Sequence, residues 1–176
     1  MTYNGETSHG NVATNTGWTF GGYSGRYTVP ERFIVKIPDD YPLENAGPVL
    51  CAGITMFSPL KNYGADNGGM SIGVVGIGGL GQMGIQLAKA MGNTIYAIST
   101  SPHKEAAARE IGADHFVVST DPGSMSAAAN CMNLILNTVS ADHDLNVYLP
   151  LLVNNKSNWS ILTSSFYRDP KVFWCR

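Results

Sequence analysis

Gly76-Ile77-Gly78-Gly79-Leu80-Gly81 has the spacing of a phosphate-binding turn, GxGxxG. Each glycine in that pattern has its own task. The first allows a tight strand-to-helix reversal, the second lets backbone approach a pyrophosphate, and the third lets helix and strand pack closely. Ile77, Gly79 and Leu80 complete the cradle, and the phosphates sit on the positive end of the helix that follows. A glycine-rich turn can also serve packing alone, so the pattern gains meaning only from its setting.

About twenty residues past such a turn, a dinucleotide site that grips a bare adenosine ribose carries an acidic residue. This chain has Ser99-Thr100-Ser101-Pro102-His103-Lys104 there, with no acid among them. Small hydroxyls supply donors to a 2′-phosphate and a lysine supplies a point charge, so the loop suits NADP(H). The plainer reading is a turn in which Ser101 caps a helix.

The elements around these motifs must place them. Met70, Ile72, Val74, Val75 and Ile77 form the near-continuous apolar run of a parallel strand buried on both faces. Leu80, Met83, Gly84, Leu87, Ala88 and Met91 then recur at the spacing of one helical face, with Gly92 as a stop. A strand is expected at residues 94–98, a helix at 103–111, a strand at 115–119, a helix at 125–129 and a strand at 134–139. This alternation predicts an α/β fold, a doubly wound parallel sheet of Rossmann type. Residues 142–152 read as one more helix and 159–162 as a further strand. Upstream, Pro42-Leu43-Glu44 opens a helical stretch toward Leu60. Tyr27 and Val29, then Phe33, Val35 and Ile37, suggest two short strands joined at Pro30, while residues 1–22 read as loop and turn.

Charged residues are 14% of the 176, against roughly 25% in an ordinary domain. With 44% hydrophobic residues, part of the surface is expected to be covered by something else. A formal net charge of −2 offers no basic footprint for nucleic acid and no polybasic patch for a membrane. Cys51, Cys131 and Cys175 are too scattered for a disulfide framework or a zinc knuckle, which fits a reducing compartment. The polar opening segment lacks an apolar signal region, and nothing reaches the length of a membrane span, so the cytoplasm is the expected location.

Three stretches together resemble the medium-chain, zinc-dependent alcohol dehydrogenases, on the side of the cinnamyl alcohol dehydrogenases: Gly21-Gly22-Tyr23-Ser24-Gly25, Pro48-Val49-Leu50-Cys51-Ala52-Gly53-Ile54-Thr55, and Val74-Val75 with the glycine turn. The likeness runs from about Tyr3 to Leu152. It implies a GroES-like catalytic domain, of which residues 1–50 are a remnant, a dinucleotide-binding domain at 51–152, and a divergent segment at 153–176. It further implies NADP(H), a catalytic zinc, and a primary alcohol or aldehyde as substrate, with zinc polarising the oxygen while the nicotinamide carries the hydride. By resemblance Cys51 is the third zinc ligand, and Thr55 and Thr138 touch the cofactor. Cys51 could otherwise be a small core residue, and Thr55 a helix threonine bonded to its own backbone.

Relatives also carry a cysteine, a histidine and a glutamate in an N-terminal part without counterpart here, and a four-cysteine lobe for a structural zinc. One thiolate does not hold a catalytic zinc by itself. Asn137 stands where the family has aspartate. Later strands that complete the family's sheet and form its dimer edge are not recognisable after Val153, so the sheet is expected to be truncated. Two other readings compete with an alcohol dehydrogenase incomplete in this chain. One is a non-catalytic NADPH-binding module, and the other a zinc-free quinone reductase, against which the Cys-Ala-Gly-Ile-Thr setting of Cys51 speaks. His9, His115 and His143 are isolated and read as surface or packing residues.

Overall fold

In a computed structural model, residues 25–26, 30–153 and 160–163 are described. The chain separates into two compact units, Met1–Tyr41 and Pro42–Arg176. In the first, Glu31–Phe33 form a single 3-10 turn, and residues 34–38 continue without a strand ladder. The expected strand through Phe33, Val35 and Ile37 is therefore not found, because alternation makes a strand only where a neighbour accepts its hydrogen bonds. Its companion at Tyr27 and Val29 lies outside the described residues.

The second unit is built on a parallel sheet. β1 (Ser71–Val75), β2 (Thr94–Ser99), β3 (His115–Val118), β4 (Leu134–Asn137) and β5 (Ser160–Thr163) lie in the order β3-β2-β1-β4-β5. All four pairings are parallel, with Val75 opposite Ile98 on one side and Asn137 on the other. The chain moves outward from β1 to β2 and β3, then returns to β1's other flank with β4. That reversal opens a crevice at the carboxyl ends of β1 and β4, where ligands bind in open α/β sheets.

Among the described residues, five α-helices accompany the strands: α1 (Ala46–Pro48), α2 (Ile54–Asn62), α3 (Gly79–Ala90), α4 (Glu105–Glu110) and α5 (Pro122–Ala127). One face of the sheet, with Ile72, Val74, Ile95 and Leu136, packs against Met56, Leu60, Ile85 and Ala88 of α2 and α3. The other, with Val75, Ile98, Val117 and Ile135, is covered by Met132, Tyr148 and Leu151. Burial on both faces is why β1 reads as a continuous apolar run. Side chains pin the amino ends of the strands. Asn133 Oδ1 accepts from the Ser71 amide at 2.9 Å, and Asp114 Oδ2 from the Ile95 amide at 2.8 Å. Asn93, almost fully buried, accepts from the Met70 amide and donates to the Ala65 and Ala88 carbonyls.

Several boundaries differ from expectation. The stretch from Pro42 toward Leu60 is a 3-10 turn (Leu43–Asn45), α1, a π-helical turn (Val49–Gly53) and α2, since Pro48 brings no donor and Gly47 and Gly53 favour helix poorly. α5 starts earlier than residue 125 because Asp121 caps it, accepting from Gly123 at 3.0 Å and Ser124 at 3.1 Å, with Pro122 at its first position. β4 ends at Asn137, two residues short of expectation. The expected helix at 142–152 is a 3-10 helix, Leu145–Leu151, begun by the Asp144 cap and containing Pro150, which cannot donate into an α-helical ladder. A strand follows near the expected place, as β5; Trp159 lies outside the described residues.

Candidate dinucleotide site

Gly76 leaves β1 with φ +87°, in the left-handed region that glycine tolerates, and its amide bonds the Ile98 carbonyl at 2.9 Å. A Cβ on Gly76 would sit 2.9 Å from Val139 Cγ2 and 3.0 Å from Thr138 Oγ1. On Gly81 it would strike the Gly76 carbonyl oxygen. These two glycines are required for packing. Gly78 and Gly79 differ: both are exposed, and a Cβ on either would meet nothing within 4 Å. The open volume lies at the start of the 12-residue helix α3, where Gly78 provides no side-chain cap. The first amides of the helix thus remain for a ligand, the cradle a pyrophosphate needs. Ile77 and Leu80 turn their side chains into the core and leave only backbone to the crevice.

Thr138, just past β4, closes the other side. Its hydroxyl donates to the Val75 carbonyl at 2.8 Å and lies 3.1 Å from the Gly76 carbonyl. Its first role is to hold the glycine turn against β4. Asn137 is buried, and its Oδ1 accepts from the Val139 amide at 3.3 Å.

At the end of β2, Ser99 is nearly sealed, and its Oγ accepts from the Ser101 amide at 3.1 Å, which shapes the loop from within. Ser101 precedes the 3-10 turn Pro102–Lys104, yet its hydroxyl caps nothing. Thr100, Pro102 and His103 are exposed and Lys104 half-exposed. Among the described residues the Lys104 side chain has no ion pair or hydrogen bond, so its charge is uncommitted.

Cys51 is exposed on the π-helical turn, not sealed in the core as its apolar neighbours would suggest. Thr55 Oγ1 donates to the Cys51 carbonyl at 2.8 Å, the ordinary bond of a helix threonine. Among the described residues no three His, Cys, Asp or Glu side chains gather to hold a metal. Among the described residues the donor set around Cys51 is its own sulfur alone, which does not fit a zinc ion.

The structure thus brings Gly76, Gly78, Gly79, Gly81 and Thr138 to one edge, with the Ser99–Lys104 loop beside them through the Gly76–Ile98 bond. Sequence reasoning missed the length of chain after Thr138. His143 Nδ1 lies 2.7 Å from the Ala141 carbonyl, and its ring meets Tyr148 edge-on at 6.0 Å. Only the adjacency of His143 to the Asp144 cap could have drawn attention to it. His115 stacks on Tyr96 at 4.3 Å, a packing role as expected, and His9 lies outside the described residues. No helix among the described residues is long and apolar enough to cross a membrane.

A Rossmann-type parallel sheet with a glycine turn at its switch point is the fold of dinucleotide-binding domains. Residues 79–155 match the family model described as zinc-binding dehydrogenase. A strawberry (Fragaria ananassa) protein named "Probable mannitol dehydrogenase" is 53% identical over 135 residues, covering 76% of this chain and 37% of that protein. A solved cinnamyl alcohol dehydrogenase from Sorghum bicolor superposes with a TM-score of 0.80 at 37% identity, over 98% of this chain and 46% of its own. The CAD of Helicobacter pylori, solved complexed with NADP(H), gives 0.72 at 32% identity, over 84% of this chain and 40% of its own. The chain is a partial-length relative of the medium-chain zinc-dependent alcohol dehydrogenases, on their cinnamyl alcohol dehydrogenase-like side, and spans less than half the length of these relatives.

Proposed function

We propose that this chain is the NADP(H)-binding part of an oxidoreductase that passes a hydride between NADP(H) and a primary alcohol or aldehyde. The observation that carries the reading is the open backbone cradle at Gly78 and Gly79 over the uncapped start of α3, beside a loop without an acid. When bound, the nicotinamide supplies or takes the hydride. The chain's own residues bind and orient. The α3 amides receive the pyrophosphate, the Thr100 and Ser101 hydroxyls and Lys104 receive the 2′-phosphate, and Thr138 keeps the turn in register. The NADP(H) complex of the Helicobacter pylori relative supports the choice of cofactor.

Cys51 and Thr55 belong to the catalytic end in this reading, where the single sulfur among the described residues does not make a zinc site. In this reading residues 1–50 belong to a catalytic domain, 51–152 form the nucleotide domain and 153–176 are a divergent segment, in a protein of the cytoplasm. The second reading, a non-catalytic NADPH-binding module, differs in expecting cofactor binding with neither zinc nor turnover. Titration with NADPH and NADH by tryptophan fluorescence tests the cofactor reading, and equal affinities would overturn it. Reduction of an aromatic aldehyde with NADPH, abolished by a zinc chelator, would show a competent enzyme and dismiss the module.

A further inference from the structure

The residues after β4 form a short bridge with an anchor at each end. At the start, Thr138 donates its amide to the Val75 carbonyl at 2.9 Å and its hydroxyl to the same oxygen, while Val139 packs where a Gly76 side chain would be. At the far end, Tyr148 is buried in the core with Val75, Ile98 and Val117. Between them, residues 138–144 have no regular structure. One side chain ties the loop to the far anchor. His143 sets its ring edge-on against Tyr148 and places Nδ1 2.7 Å from the carbonyl of Ala141. A carbonyl only accepts, so Nδ1 carries the proton. Nε2 is buried and finds no partner among the described residues. The one polar contact of the ring is therefore spent on holding the loop.

We propose that His143 is a positioning residue for dinucleotide binding: through Nδ1–H to the Ala141 carbonyl and its seat on Tyr148, it fixes residues 138–144 along the crevice beside the glycine turn. This rests on the dinucleotide reading above. A loop that must be ordered when the ligand arrives charges that ordering against affinity, whereas a loop held in advance does not. Because Thr138 and Val139 touch Gly76, a shift between 139 and 144 is transmitted to the turn itself.

The side chains at this position separate the two ring nitrogens. Asparagine puts an amide nitrogen near the place of Nδ1, and glutamine puts one near Nε2. His143→Asn should retain most of the wild-type NADPH affinity, while His143→Gln and His143→Ala should each lose about tenfold, the range of one hydrogen bond. Backbone hydrogen exchange without nucleotide gives a second readout. Amides of 138–144 should exchange faster in the Gln and Ala variants but not in Asn, with the amides of β1 and α3 unchanged. Variants that bind NADPH as the wild type does, or an Asn variant that falls as far as Ala, would overturn the proposal while leaving the cofactor reading intact. A uniform rise in exchange across the sheet would also overturn it, since the role would then be general stability. Failure of the unaltered chain to bind either dinucleotide would remove both readings together.

Discussion

Thr138 and Gly76 are joined across the crevice. The threonine hydroxyl lies 3.1 Å from the glycine carbonyl and donates to the neighbouring Val75 carbonyl at 2.8 Å, so the turn after β1 is held by the residue after β4. The two strands that meet at the switch point are thereby locked where the ligand would lie. Thr138→Val keeps the shape and removes the donor. One net hydrogen bond is worth about 1 kcal/mol; the Val75 carbonyl would keep the Thr138 amide as its partner, while the Gly76 carbonyl would lose the hydroxyl beside it. The variant should unfold about 1 kcal/mol more easily in urea and bind NADPH severalfold more weakly. Unchanged values of both would mean that the bond holds nothing.

The glycines of the turn should separate stability from binding. Gly81→Ala drives a methyl into the Gly76 carbonyl oxygen, and neither backbone can yield without moving β1 or α3. Overpacking of this kind typically costs ~1–3 kcal/mol, occasionally more. Gly78→Ala meets no atom within 4 Å and has no positive φ to support, so its stability should stay within about 0.5 kcal/mol of the wild type. Its methyl would nonetheless stand in the cradle, and NADPH affinity should fall at least about tenfold. Thermal unfolding and nucleotide titration on the same two samples would show the opposite orders.

Asp114 links β2 to α3. Burial pushes its carboxyl upward, but the Lys89 ammonium, the Ile95 amide and the charges of Lys89 and His115 outweigh it and leave the group below its ordinary value. A carboxylate held low in the folded chain binds fewer protons there than in the unfolded one. Its stabilisation is therefore present above the unfolded value and is lost as pH falls through the lowered folded value. Both side chains are about one-third or more exposed, so solvent screening limits the ion pair itself to ~1 kcal/mol or less. Asp114→Asn should be less stable than the wild type near neutrality, and the difference should shrink steadily as urea titrations move into the acid range. A difference that does not depend on pH would assign the effect to the Ile95 cap alone.

The parallel sheet was legible because burial on both faces forces an apolar run such as 71–75, and the amphipathic face from Leu80 to Met91 has only one way to pack back on it. The glycine turn was legible for a steric reason that the Gly76 and Gly81 environments reproduce. Other features depend on contacts that spacing does not encode. The π-helical turn around Cys51 arises from where hydrogen bonds are rephased after Pro48, and periodicity cannot register a single extra residue per turn. The alternation at Phe33, Val35 and Ile37 suggested a strand, but no ladder forms among the described residues, and alternation does not carry its own neighbour. The Asp121 cap is written in the sequence as Asp-Pro, but the apolar spacing beyond it points to a later start. His143 reads from the sequence as an isolated surface or packing residue, because its partners are a carbonyl two residues away and an aromatic ring five residues on.

The loop after β2 makes the sharpest demand. Ser99 is nearly sealed and accepts from the Ser101 amide, so it shapes the loop, while Lys104 keeps its charge uncommitted among the described residues. A 2′-phosphate would gain a charge-assisted contact from Lys104, worth roughly 1.5–3 kcal/mol, which NADH cannot make. Lys104→Ala should therefore weaken NADPH about tenfold or more and leave NADH nearly untouched. Ser99→Asp places an acid at the end of β2, where it can accept from two ribose hydroxyls and repel a phosphate. The serine's bond to the Ser101 amide can be taken over by a carboxylate oxygen, since both only accept from it, so the loop should survive the change. The double variant Ser99→Asp with Lys104→Ala should prefer NADH, reversing the wild-type order. Calorimetric titration of each nucleotide against the wild type and the variants decides the matter: a double variant that still prefers NADPH would mean that the 2′-phosphate is read by residues other than these.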